Sequence, residues 1–220
     1  MSSTNSREQI MGRLYNAQKY GTDAYLPEKK EWSIENWSRD QCIAKFTEYM
    51  SAVQTEVFRV GGDAWVDELN LLFKERGISN MLYAPATDIG KTIDKQWPAD
   101  SPCQPIAWDK DVEEFKEELF AYDAAITTCL GGIAESAAVI LWPTPEEPRL
   151  MSIVPPLHIV VVEADKIFTS FQEAIEKLNW SEAMPTNALL ISGPSKTADI
   201  ELILQFGVHG PTDFIVYIID

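Results

Sequence analysis

The residues best suited to chemistry stand together near the end of the chain, in Ser192-Gly193-Pro194-Ser195-Lys196-Thr197, with Asp199 two positions further on. A glycine turn carrying two hydroxyls and an ammonium at the start of a helix offers backbone N–H groups, O–H donors and a positive charge at one point. That set suits a carboxylate or a phosphate. The Gly-x-x-x-x-Gly-Lys-Ser/Thr spacing of a P-loop is absent. The same residues also read as a plain helix start, with Ser195 or Thr197 as the cap and Asp199 and Glu201 favourable near the positive end.

His209, between Gly207 and Gly210, is one of only two histidines. The flanking glycines allow either a close ligand contact or a structural turn. The two ends of the intervening helix would lie roughly 12 Å apart, which directs His209 to a different pocket or to a partner. Glu135 sits in the glycine-rich turn Cys129-Leu-Gly-Gly-Ile-Ala-Glu-Ser136 and is either an acid, base or nucleophile or a capping carboxylate. His158 opens a strand and is expected to be a core histidine satisfied by backbone. Arg149 pairs either with a substrate carboxylate or with one of the many surface acids. Glu113, Glu114, Glu117 and Glu118 read as a solvated helix face, because no histidine or further acid is placed to complete a metal site.

The elements that must position these groups follow from hydrophobic patterning. Ala188 to Ser192 reads as a buried strand, Ala198 to Gln205 as a short helix and Phe214 to Ile219 as the last strand. Together they make a parallel βαβ unit whose turns fall where open α/β sheets place ligands. Upstream, Thr55 to Val60 is a strand, Asp63 an N-cap, Ala64 to Arg76 a helix closed by Gly77, and Asn80 to Ala84 a second strand. Pro85 to Pro105 is irregular; Ile106 to Trp108 is a short strand and Asp111 to Leu119 an acidic helix. Ala124 to Thr128, Ala137 to Trp142 and Leu157 to Glu163 are apolar strands, and Phe168 to Leu178 is a helix. Residues 1–54 form a helical segment packed on this body of 55–220. Ile10, Leu14 and Ala17 mark one helix of that segment and Cys42, Phe46, Tyr49 and Val53 a second.

Composition limits the functions available. Eighteen Lys and Arg against 34 Asp and Glu give a net charge of -16 over 220 residues, which opposes nonspecific attraction to nucleic acid or an anionic membrane. Cys42, Cys103 and Cys129 are widely separated, with no Cys-x-x-Cys, so no cofactor or metal held through cysteine is expected. No run reads as a signal peptide or membrane span, and a cytoplasmic location is expected.

Three segments resemble the lactate-utilisation protein C family (LutC/YkgG, the LUD domain). They are Gly132-Ile-Ala-Glu135; Pro148-Arg-Leu-Met-Ser-Ile-Val-Pro-Pro-Leu-His158-Ile-Val-Val-Val; and Ser192-Gly-Pro-Ser-Lys-Thr-Ala-Asp-Ile-Glu201 with Gly207-Val-His-Gly-Pro211. The resemblance implies a NagB/RpiA/CoA-transferase-like α/β fold and a role in oxidising L-lactate to pyruvate beside iron–sulfur partner proteins. It strengthens the reading of Ser192 to Thr197 as a ligand site. By analogy with the glutamate nucleophile of CoA transferases it makes Glu135 a candidate for a stand-alone transferase or ligase. Where the family usually has Gly-Thr, this chain has Ala137-Ala138, losing a residue at ease with φ > 0 and a hydroxyl donor. That departure also fits a member that binds partners and has no site.

Overall fold

The computed structural model describes residues 6–19 and 37–220, apart from 111, 116–117, 183–184, 199–203 and 207–208. The chain divides into two compact units, residues 1–34 and 35–220. In the first, α1 (Ser6–Lys19) carries Ile10 and Leu14 one turn apart, as their spacing predicts. The break expected after it lies outside the described residues.

The second unit begins with α2 (Arg39–Ala52). Ser38 closes a capping box: its hydroxyl accepts from the Gln41 N–H, and the Gln41 side chain accepts from the Ser38 N–H at 2.9 Å. Of the expected face, Cys42 and Phe46 are buried and Tyr49 and Val53 half-buried, while Ile43 and Met50 take the remaining buried places. Then come β1 (Glu56–Val60), α3 (Trp65–Arg76) and β2 (Asn80–Tyr83). Gly77 ends α3 in the left-handed conformation, φ 68°. A 3-10 turn over Gly62–Ala64 replaces the expected cap, and Asp63 instead accepts from the Gln96 side chain at 2.7 Å.

The stretch read as irregular contains α4 (Asp88–Gln96), started by the Thr87 hydroxyl accepting from Gly90 N. Next are β3 (Gln104–Ala107), α5 (Val112–Phe115), β4 (Ala124–Thr128), β5 (Gly131–Ile133), β6 (Ala138–Leu141) and α6 (Leu150–Ile153). The chain finishes with β7 (Leu157–Glu163), β8 (Ile167–Phe168), α7 (Phe171–Lys177), β9 (Leu189–Ile191), β10 (Lys196–Ala198), β11 (Leu204–Phe206) and β12 (Asp213–Ile219).

Six strands form one parallel sheet in the order β1-β12-β7-β4-β2-β3. Such a sheet is buried on both faces, which is why β7 reads as an apolar run over Ile159 to Val162, with His158 as its one buried polar residue. Ile159 and Val161 of β7 pack on one side with Trp65, Leu69 and Phe73 of α3 and Ile93 of α4. Val160 and Val162 pack on the other with Phe46 and Met50 of α2 and Val139 and Leu141 of β6. Met151 of α6 lies on this second side over Leu82 and Ala125. The strands β8-β5-β6-β9 make a separate small sheet.

The end of the chain departs from the expected βαβ unit. β9 pairs antiparallel with β6 in the small sheet, whereas β12 lies inside the parallel sheet between β1 and β7. In place of the helix over 198–205, β10 and β11 pair antiparallel, with Lys196 opposite Phe206 and Ala198 opposite Leu204. β-Branched Thr197 and aromatic Phe206 suit such a ladder, and cross-strand pairing outweighs a weak helical period.

Candidate functional site

The hairpin changes where the chemistry-bearing turns lie. Gly193 abuts the segment just ahead of β1: a Cβ added to it would stand 3.1 Å from the Val53 carbonyl oxygen and 3.3 Å from the Thr55 hydroxyl. The second turn leads into the first residue of β12, where Asp213 N donates to Pro156 O at 3.1 Å. Both turns therefore sit at the amino ends of the parallel strands, opposite the carboxyl ends where they were expected. They also meet. Ser195 N donates to Pro211 O at 2.8 Å, and a Cβ on Gly210 would come within 3.2 Å of the Ser195 Cβ. The expected 12 Å separation does not arise, because a hairpin returns the chain to its start. Exposed His209 is next to this junction.

The site residues have individual partners. The Lys196 ammonium donates to Val53 O at 3.1 Å, and Val53 is the C-cap of α2, so the cation serves a negative helix end. Thr197 pairs with Gln205 through the hairpin backbone, Ser192 is exposed and Pro194 half-buried, and Asp199 lies outside the described residues. Glu135 is remote. Its carboxylate accepts from Phe171 N at 3.0 Å, the first amide of α7, and its own N–H donates to Thr169 O. Thr169 contacts Cys42 in the first turn of α2, while Lys196 reaches Val53 at the far end, a helical span of roughly 16 Å.

Beside α6 lies a small pit of about 10 Å³ lined by Thr127, Glu147, Arg149 and Ser152 together with the apolar Leu141, Trp142, Pro143 and Pro148. His158 is fully buried behind it; its Nε2 is 2.9 Å from the Thr127 hydroxyl, and its Nδ1 has no partner. The histidine is thus held by a side chain and not by backbone, as had been expected. Burial lowers its pKa to about 3, so the ring is neutral at ordinary pH. Glu147, 8 % exposed, accepts from the Thr128 N–H and hydroxyl, both at 2.9 Å. Burial nevertheless raises its pKa to about 7, outweighing those bonds. Exposed Arg149 makes no ion pair among the described residues.

A larger cleft, about 320 Å³, opens at the carboxyl ends of β4, β7 and β12. Asp63, Asp88, Glu163 and Lys166 supply its charges, and Thr128 and Cys129 line its floor. Each charge has a partner: Gln96 for Asp63, Lys91 for Asp88 at 2.8 Å, and Lys166 for Glu163 at 2.8 Å. The Cys129 thiol donates to Val161 O and its pKa is pushed up to about 12 by burial, so it is not a poised nucleophile. Among the described residues no three His, Cys, Asp or Glu side chains are grouped to hold a metal, and no helix is long and apolar enough to cross a membrane.

Residues 43–219 match the family described as the LUD domain. The chain belongs to the LUD domain family. A Neisseria meningitidis serogroup B protein, NMB1437, is 34 % identical over 215 residues, covering 96 % of this chain and 92 % of that one. Lactate utilization protein C 1 of Bacillus mycoides is 29 % identical over 206 residues, 88 % of each chain. The crystal structure of a DUF162 family protein from Deinococcus radiodurans shares the fold, with a TM-score of 0.61 at 19 % identity over 84 % of this chain and 99 % of that one.

Within this LUD domain, segments 148–158, 192–197 and 209–211 converge on α6. A Cβ on Gly210 would approach Ile153 O within 4.0 Å and Ser195 more closely, Thr212 and Asp213 bond to Pro156 O, and the His158 ring packs on Phe214 at 5.2 Å. Segment 132–135 stands apart. Ala137 adopts φ +46°, so the glycine-type conformation survives the Gly-to-Ala departure at the expense of strain. Thr127, Glu147 and Ser152 were not singled out from the sequence. The pair Thr127-Thr128 closing the apolar run Ala124–Thr128 was the available signal.

Proposed function

We propose that this LUD domain protein is an accessory subunit of a cytoplasmic L-lactate utilisation system, acting with iron–sulfur partner proteins in oxidising lactate to pyruvate. Its ligand is a small anion bound on the face formed by the Gly193–Thr197 turn, His209 and Gly210. The observation that carries this reading is near full-length similarity to a protein named for lactate utilization. The meeting of Ser195 with Gly210 and Pro211 supports the choice of face, since two turns from separate parts of the chain are held edge to edge, the missing side chain of Gly210 allowing the close approach. A stand-alone transferase using Glu135 is the weaker reading, because that carboxylate is already committed to the first amide of α7.

Deleting the gene in its native host is expected to abolish growth on L-lactate, and a tagged copy to recover iron–sulfur proteins. Normal growth together with recovery of no redox partner would sink the proposal.

A further inference from the structure

We propose that Arg149 and the Thr127 hydroxyl, at the pit beside α6, form a subsite for the carboxylate of a small monocarboxylate, with His158 as the residue that aims the hydroxyl. The choice of lactate and pyruvate as ligands rests on the reading above; the subsite is a second anion site, separate from the Gly193–Thr197 face, and rests on geometry.

Four of the described buried polar side chains, Thr127, Glu147, Ser152 and His158, gather at this one place in the molecule. Fully buried polar groups are ordinarily satisfied, and His158 Nδ1 is not. The neutral ring carries one proton. Placed on Nδ1 it would leave a donor orphaned in the core, which is rarer than an orphaned acceptor. The proton therefore belongs on Nε2, where it is donated to the Thr127 oxygen 2.9 Å away. With that lone pair occupied, the Thr127 O–H is free to point into the pit as a donor.

Ser152 donates to Arg149 O at 2.8 Å, and Glu147 is occupied by Thr128. The donors left among the lining side chains are the Thr127 hydroxyl, the Trp142 indole N–H and the Arg149 guanidinium, and the hydroxyl and guanidinium make a pair suited to a carboxylate. In a chain of net charge -16, an arginine that finds no acid among the described residues marks a place kept for an incoming anion. The pit's volume of about 10 Å³ sets the scale. It holds one water-sized group, hence one carboxylate oxygen, while the rest of the ligand lies outside against Arg149. The high Glu147 pKa helps, because part of that carboxylate is uncharged near neutral pH.

Calorimetric titration of the full chain with L-lactate, pyruvate and the neutral isostere L-lactamide tests the assignment. Both acids are expected to bind and lactamide at least about tenfold more weakly, with Arg149→Gln losing about tenfold or more for the acids and Arg149→Lys losing less. Thr127→Val should weaken binding and Thr127→Ser restore it, thermal melts establishing that each variant is folded. Equal binding of lactamide, unchanged affinity in Arg149→Gln, or no binding of either acid by the unaltered chain would overturn the subsite. The lactate-growth phenotype is scored separately: a strain that needs the protein while the protein binds neither acid keeps the functional reading and loses this one.

Discussion

The carboxyl-end cleft and the pit beside α6 differ in two ways that point in opposite directions. The cleft has about 320 Å³ of space and stands where parallel sheets usually bind ligands, yet Asp63, Asp88, Glu163 and Lys166 all have partners. The pit has about 10 Å³, but beside it are an arginine and a histidine nitrogen that find no partner among the described residues, and a carboxylate whose pKa burial raises to about 7. Space shows where a ligand fits. Of these groups the arginine is the one that an incoming carboxylate would pair with; the histidine nitrogen and the carboxylate mark buried polar costs of the fold.

That contrast predicts where substitutions matter, starting with the largest effect. Folding carries Glu147 from an ordinary value of 4.5 to about 7, a penalty on the charged form of order 3 kcal/mol. The folded chain holds the proton more tightly, so stability falls as pH rises from 4.5 to 7 and then levels off. Glu147→Gln is expected to remove this fall and gain up to ~3 kcal/mol above pH 7, read from urea unfolding across pH. His158 acts in the opposite sense: its pKa is lowered, so its contribution is complete above pH 6.5 and is lost as pH drops toward 3.

Thr127→Val comes next. It leaves both nitrogens of a fully buried imidazole without partners, an expected loss of about 1–3 kcal/mol in the same assay. Ala137→Gly, at a φ of +46°, is expected to stabilise by up to about 1 kcal/mol, the relief of strain being partly offset by the freer unfolded chain. Lys196→Met should cost roughly 0.3–1 kcal/mol through the carbonyl end of α2. Smallest of all, Lys166→Met in the cleft should change stability by less than about 0.5 kcal/mol, since Lys166 and Glu163 form a surface pair. A cleft variant that mattered more than Thr127→Val would reverse the comparison.

Much of the scaffold was legible from local patterning. β4 and β7 have the bounds their apolar runs predict, β1, β2 and β12 differ by a residue at an end, and α3 ends at Gly77 as expected. α4 was hidden because Pro85, Pro98 and Pro102 frame a stretch rich in charge, although Thr87 was available as a cap. Of the site, the sequence identified Ser195, Lys196, His209, Arg149 and His158 as residues worth weighing. It placed the glycine turns at the wrong end of the sheet and missed Thr127 and Glu147.

By itself, then, the sequence determined the α/β class, the buried parallel strands, the glycine stop of α3 and the family, since each depends on residues within a few positions or on short segments in order. Only the tertiary structure decided that 196–206 pairs as a hairpin, that Ser195 meets Gly210, and that Thr127 holds His158. The reason is physical. A helical period is a property of neighbours along the chain, whereas cross-strand pairing, burial and the pKa of a carboxylate are set by groups that arrive from elsewhere in it.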